Sequence, residues 1–356
     1  MKTGRSISEL AQEIQRQTET KRDFIAPGKS QALTFKAEQG FKFELAGQDD
    51  FDTEQNFHSQ LGESLGIPKP YYERLRQEAP DLLVKNVNHW LPSQPKRMIR
   101  TLDGKARAYL SDRYRPLDHF DLMDAILPQI MKTECIVESC EVTPSRLYLK
   151  AVSPRITGEV NVGDFVQAGV MVSNSEIGLG SLTVQPLLFR LVCRNGAIVN
   201  DLAFRKTHVG RNGYGELTQA VQFFRDDTKQ ASDRAFFLQV RDTVAAVLTP
   251  ERFQPLVDKM RRAFENPFAA TDVEPIVEEV TKRWTLHDGE RKSVMAHLIA
   301  GGDLSQYGMM NALTRTAQDV QDYDRATELE IAGGDVLQLT NGAWRKLVEA
   351  SIANKN

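Results

Sequence analysis

The stretch FVQAGVMVSNSEIGLGSLTVQPLLFRLVC, Phe165 to Cys193, decides the fold. Two apolar runs rich in β-branched residues, Phe165 to Ser173 and Leu182 to Cys193, flank a loop of serine, asparagine and glycine, which is the pattern of an antiparallel hairpin. One ambiguity remains in it: Leu187 to Val192 also suits a buried helix, because a short apolar run does not set its own period. Asn195-Gly196 then reads as a stop. Upstream, Cys135 to Glu141 and Arg146 to Val152 read as a hairpin about Thr143-Pro144-Ser145. Met98 to Leu102 and Ala106 to Tyr114 read as another about Asp103-Gly104, a dipeptide that accepts positive φ in a tight turn. Between these two, Asp118 is placed to cap a helix running to about Lys132, with Phe120, Met123, Ile126, Leu127 and Ile130 inward.

Downstream the period changes. From Tyr214 onward apolar residues recur at helical spacing, through Leu217, Val221, Phe224, Phe236, Val240, Val244 and Val247, and Thr249-Pro250-Glu251 opens a further helix. Others are expected at 272–283, 289–300, 305–322 and 342–353. The predicted class is α+β: an antiparallel β-hairpin sheet with a packed helix, plus a helical carboxyl-terminal region.

At the amino end, Ile7, Leu10, Ala11 and Ile14 predict a short amphipathic helix over Ser6 to Thr18, followed by a polar loop through Pro27. The run LTFKAEQGFKFEL alternates about Gly40 as a hairpin. FHSQLGESLGIPKPYYERL, Phe57 to Leu75, breaks into two helices at Gly66-Ile67-Pro68 and has the outline of a DNA-reading helix-turn-helix. With Pro68 and Pro70 in the second helix's first turn and only Lys69, Arg74 and Arg76 for phosphate, plain helix packing is the better reading. The expected organisation is 1–55, an amino-terminal helix and hairpin region; 56–213, a mixed α+β sheet core; and 214–356, a helical region.

The 356 residues carry 45 basic and 48 acidic side chains, a formal net charge of −3, which suits an ordinary soluble globular chain and excludes a disordered tail protein, a collagen and a disulfide scaffold. No stretch approaches the ~18 apolar residues of a membrane span, and MKTGRSISELAQEIQRQTETKRD lacks the apolar core of a signal peptide, so a cytoplasmic protein without membrane partners is expected. Cys135, Cys140 and Cys193 are too few and too irregular for a disulfide framework, and no Cys-x-x-Cys or paired-histidine spacing calls for a metal. Neither a metal nor another cofactor is expected.

The chemistry-bearing signal is basic. Lys96, Arg97, Arg100, Lys105, Arg107, Arg113 and Arg115 face only Asp103 and Asp112 in their stretch. If Ala106 to Arg115 is extended, a period of two puts Arg107, Tyr109, Ser111, Arg113 and Arg115 on one face. Guanidinium groups there would track phosphates while Tyr109 stacks on a base. Arg190 and Arg194 share a side whether their segment is strand or helix. Arg205, Lys206, His208 and Arg211 follow among Gly210, Gly213 and Gly215, a basic loop able to wrap phosphates. The predicted nucleic-acid-binding set is Lys105, Arg107, Tyr109, Arg113, Arg115, Arg190, Arg194, Arg205, Lys206 and Arg211. The loop SNSEIGLGS, 173–181, lacks the spacing of a P-loop or dinucleotide fingerprint and reads as a loop held by its own side-chain hydrogen bonds. Cys193 with His208 is the nearest approach to a nucleophile and base, without a third member. Cys193 is instead read as core, remote from any activating cation, and no catalytic residue is expected.

The strings LGIPKPYYERL, KARAYLSDRYRPLDHFDLMDAILP and GVMVSNSEIGLGSLTVQPLLFRLVCRNGAIV resemble a phage-, plasmid- and integrative-element-associated family known as domain of unknown function number 932, over about Phe57 to Phe264. The resemblance implies a setting in DNA replication, recombination or defence. A second analogy, at the level of fold alone, is to phage single-strand annealing proteins, which combine hairpins, a packed helix and a basic groove. Together with the basic clusters, this leads to the expectation of a single-stranded DNA-binding protein of a mobile element that anneals complementary strands and assembles as a homo-oligomer on DNA. The alternative is an element-encoded adaptor or inhibitor that binds protein through its acidic helical third. Residues 1–215 carry 28 basic against 26 acidic side chains, whereas 216–356 carry 17 against 22.

Overall fold

In the central hairpin, β9 (Asp164–Asn174) and β10 (Leu182–Arg190) pair antiparallel from Val166↔Arg190 to Ser173↔Thr183, so the ambiguous apolar run is strand as far as Arg190. A computed structural model describes residues 1–200, 205–206 and 226–353. On one side of the hairpin β8 (Leu147–Asn161) pairs with β9 and β7 (Ile136–Val142) with β8. On the other, β11 (Asn195–Ile198) and the short β12 (Arg205–Lys206) pair with opposite ends of β10. Asn195-Gly196 therefore begins a strand instead of ending one. The reversal comes earlier, at 191–194, where Arg194 takes a φ of 50°.

This sheet is covered on both faces, and that is why its strands read as unbroken apolar runs without alternation. Against one face lie α1 (Ile7–Thr20), α5 (His119–Lys132) and α6 (Asp226–Val247), joining Leu10, Ile14, Ile126, Leu149, Val172 and Val244 in one core. Against the other lie α7 (Pro250–Phe264), α10 (Gln306–Asp319) and α11 (Tyr323–Gln338), with α8 (Val273–Arg283), α9 (Asp288–Gly301) and α12 (Asn341–Ala353) completing that helical layer. Phe120, expected inward on α5, is exposed, and Leu122 takes the buried position.

A second sheet comes from the first 111 residues. Its strands are β1 (Arg22–Ala26), β2 (Gln31–Lys36), β3 (Gly40–Leu45), β4 (Phe51–Thr53), β5 (Arg97–Leu102) and β6 (Lys105–Ser111), in the order β1-β5-β6-β4-β3-β2. The β4/β6 pair is parallel and the others antiparallel. Helices α2 (Gln55–Ser64), α3 (Lys69–Glu78) and α4 (Pro80–Trp90) cover one face, burying Phe43, Phe57, Leu61, Tyr72, Leu83, Val87 and Tyr109 together. The helix-turn-helix outline is thus two helices packed on a sheet. The segment before Pro27, expected to be a loop, contributes edge strand β1. Among the described residues no helix is long and apolar enough to cross a membrane.

Helix α11 falls between the helices expected at 305–322 and 342–353, and it carries Gly333-Gly334 in its interior. The glycines serve close packing: a Cβ at Gly334 would stand 1.9 Å from the Ile198 carbonyl oxygen of β11. Gly334→Ala is therefore expected to destabilise the protein by about 1–3 kcal/mol through overpacking, despite alanine's better helix propensity. Urea denaturation checks the sign.

Candidate nucleic-acid interface

The cationic face expected along β6 does not form, because the strand is bulged. Thr101 of β5 pairs with Ala106 and Arg100 with Ala108, so Arg107 is the extra residue and the alternation reverses across it. Ala106 and Tyr109 consequently face the same apolar core. Tyr109 is 3 % exposed, its hydroxyl donates to Gln31 Oε1 at 2.8 Å, and no base can stack on it. Arg107 turns the other way and is also buried, with Nη2 2.6 Å from Glu176 Oε2.

Glu176, in the β9–β10 loop, is the centre of a buried charge cluster that ties the two sheets together. Its Oε1 accepts from the His119 N–H at 2.8 Å and from Lys21 Nζ at 3.2 Å, and its carbonyl oxygen accepts from Arg100 Nη1 at 2.8 Å. Arg100 also binds Asp23 at 2.8 Å and Asp118 at 2.9 Å, and Lys21 binds Asp118 at 2.8 Å. Asp118 thus holds cations and makes no side-chain hydrogen bond as a helix cap. Burial works to raise the Glu176 pKa, but the His119 ring, Arg107, Lys21 and the His119 N–H outweigh it and hold the carboxyl far below the usual range. His119 is pushed down to about 4, chiefly by burial, so its ring is neutral at pH 7. The loop is also self-supported, as expected, with Ser175 Oγ accepting from the Leu179 N–H at 3.1 Å. Two polar atoms of the cluster, Arg107 Nε and Asn174 Oδ1, are buried without a hydrogen-bond partner.

The second basic cluster is divided in the same manner. Arg190 makes two bonds to Asp164, at 2.7 and 2.9 Å, and lies over the Tyr307 ring. Arg194, in the turn and not in a strand, binds Glu138 at 2.8 Å. The two arginines do not converge, since different carboxylates hold them. Cys193 is half-buried, and guanidinium nitrogens of both Arg190 and Arg315 stand 3.5 Å from its Sγ, which corrects the expectation of a thiol remote from cations. Arg205 and Lys206 form β12, while His208 and Arg211 lie outside the described residues. Of the first cluster, Lys105 and Arg113 are exposed and Arg115 is half-buried. Among the described residues no group of three His, Cys, Asp or Glu is placed to hold a metal ion.

One basic surface with an exposed aromatic does exist, at a place the sequence reading passed over. Residues 82–102 contain no acidic side chain, and neither do residues 24–37. Their juncture is built by specific contacts. Asn88 of α4 uses both amide atoms on Leu33 of edge strand β2, accepting from its N–H and donating to its carbonyl, each at 2.8 Å. Leu83 and Val87 pack inward, which leaves Lys85, His89 and Trp90 exposed. Gly28, at the 3-10 turn after β1, approaches the end of α4 so closely that a Cβ would stand 1.8 Å from the Leu91 carbonyl oxygen. Lys29 is thereby brought beside the α4 terminus, and Lys96 follows after Pro95, both exposed. Trp90 is 48 % exposed, with the His89 ring edge-on at 4.7 Å. The neighbouring β3–β4 turn carries Asp49 and Asp50 and is tied in by the Ala46 N–H to Ser30 carbonyl bond, 2.9 Å.

A groove of about 450 Å³ beside α11 is less suited to phosphate, since Asp324 and Glu328 line it along with Arg146. No curated protein and no solved structure matches this chain. The family model described as domain of unknown function DUF932 matches residues 108–333, from within β6 through the whole covered sheet to most of α11. LGIPKPYYERL therefore lies outside the matched region and α8 to α11 within it, a shift from the extent the quoted strings implied. By this match, which covers more than half of its length, the chain belongs to the DUF932 family.

Proposed function

We propose that the protein binds single-stranded DNA through the basic surface at the end of α4, which Asp49 and Asp50 of the β3–β4 turn border. The observation that carries this reading is the conjunction of Lys29, Lys85 and Lys96 with an exposed tryptophan on a stretch that holds no carboxylate of its own. Basic side chains capture the phosphate backbone by counterion release, and an aromatic face adds sequence-tolerant stacking. Arg107, Arg190 and Arg194, first expected to bind DNA, act in this reading as structural cations. Annealing in mobile-element recombination extends the proposal on the strength of the family resemblance.

Anisotropy of a labelled thirty-nucleotide thymidine strand tests it. Binding is expected at low salt, with log K falling against log salt at a slope of about −2 for three neutralised phosphates. Lys85→Ala/Lys96→Ala should flatten the slope and weaken binding without altering folding, because both side chains are exposed. Absence of binding at 25 mM salt would sink the proposal.

A second reading, a protein-binding adaptor, is favoured by a different observation. Val162, Phe165, Leu191 and Val192 are all exposed where the β8–β9 turn meets the β10–β11 turn, and the Leu191 N–H donates to the Phe165 carbonyl at 3.0 Å. Clustered exposed apolar side chains mark protein contacts more often than DNA contacts. Sedimentation separates the readings: assembly that depends on oligonucleotide supports DNA binding, and assembly without it, lost in Val192→Glu, supports the adaptor.

A further inference from the structure

Resting on the single-strand reading, we infer that Trp90 is a base-stacking platform that makes this site selective for unpaired over duplex DNA. Three features lie at or near the carboxyl end of α4. The indole is 48 % exposed at the carboxyl end of α4, with the adjacent His89 ring in edge-to-face contact at 4.7 Å. Lys85 lies one helical turn before His89 on the same side of α4, and Lys29 and Lys96 lie beyond the helix end. The carboxyl end of a helix is weakly negative and would by itself repel phosphate, so these lysines set the sign of the site.

A duplex has its base faces stacked inside and presents only phosphates and groove edges, so it can use the lysines but not the indole. An unpaired strand can use both. Flipping a paired base out to reach Trp90 costs a few kcal/mol, which a single stacking contact barely offsets. The expected discrimination therefore comes from Trp90, while the lysines supply affinity common to both forms. No base preference is expected, since every base offers a π-face.

The chain has three tryptophans, and Trp344 is buried, at 1 % exposure. In a Trp284→Phe background the solvent-sensitive emission belongs to Trp90. The experiment titrates that protein with a thirty-nucleotide thymidine strand and, separately, with a thirty-base-pair duplex, at 25 and 150 mM salt. The inference expects quenching of Trp90 emission by the single strand alone. It also expects a roughly 5- to 150-fold loss of single-strand affinity in Trp90→Ala, the equivalent of one stacked base, with near-full rescue in Trp90→Phe and little change for duplex. Unaltered emission, with Trp90→Ala binding the single strand within twofold of the parent, overturns the stacking role while leaving DNA binding intact. Failure of the parent protein to bind either oligonucleotide at 25 mM salt overturns the reading beneath it. The emission readout uses a native Trp90, so a folding defect in the alanine variant does not blunt the test.

Discussion

Glu176→Ala is expected to cost about 3–5 kcal/mol of stability, the range for removing one partner of a buried ion pair. The variant leaves Arg107, 5 % exposed, and Lys21 facing each other across the vacated carboxylate, and it deprives the His119 N–H of its acceptor. Solvent cannot readily repair this, because Ser175 and Asn174 beside it are fully buried. Glu176→Gln should recover only part of the loss, keeping the acceptor for His119 but not the charge. The pH dependence has a definite sign. The Glu176 pKa is lowered on folding, so its contribution is present above the unfolded carboxylate value of about 4.3 and is lost as the pH falls towards the folded value. His119 and His58 are each lowered to about 4, mainly by burial, so the unfolded chain takes up protons first and stability already declines between about pH 6.5 and 4. Urea titrations from pH 7.5 to 2.5 should show the histidine-driven decline between about pH 6.5 and 4, and the further, carboxylate-driven decline below about pH 4.3 should be missing in Glu176→Gln.

The second large effect is expected at Lys150, which lies in β8 with no exposed surface. Its Nζ reaches Glu330 Oε2 at 2.6 Å and Thr327 Oγ1 at 3.1 Å on α11, and sits 4.5 Å from the centre of the Tyr323 ring. Burial drives its pKa down, against the pull of Glu330. Lys150→Met strands a carboxylate that is itself fully buried, and about 3–5 kcal/mol should be lost. Lys150→Met/Glu330→Leu removes both charges and should be more stable than either single variant, because no unpaired charge remains. Denaturant midpoints for the four proteins give the coupling. A double variant no better than Lys150→Met would mean that the loss comes from packing and not from charge.

Where strands are bounded by turn residues, the fold was legible. The hairpins about Gly40, Asp103-Gly104 and Thr143-Pro144-Ser145 were each placed by their turn chemistry, and most of the later helices by period. What was not legible depends on contacts distant in sequence. Strand β1, Arg-Asp-Phe-Ile-Ala, is a short edge strand that opens on two charged residues and directly precedes Pro27, so its run reads as a loop. Helix α11 carries two interior glycines, poor helix formers, which serve packing against Thr314 and Ile198. The face along β6 was misread for one local reason, the bulge at Arg107, since a single extra residue reverses the faces on which a period of two relies. Glu176 could have been suspected as a partner, being the one carboxylate in the loop 173–181. The absence of acidic residues over 82–102 was readable from the start, but without α4 recognised nothing indicated which of those side chains faced outward.

The central claim is that Arg100, Arg107, Arg190 and Arg194 act as structural cations while the surface around Trp90 meets DNA. Hydrogen exchange with and without a thirty-nucleotide thymidine strand at low salt tests both halves at once. The account predicts added protection in 85–96 and around Lys29, with no change in β6 or in residues 190–194, whose backbone and arginines are already engaged. Protection appearing in 105–115 and 190–194, with none at the end of α4, would contradict it.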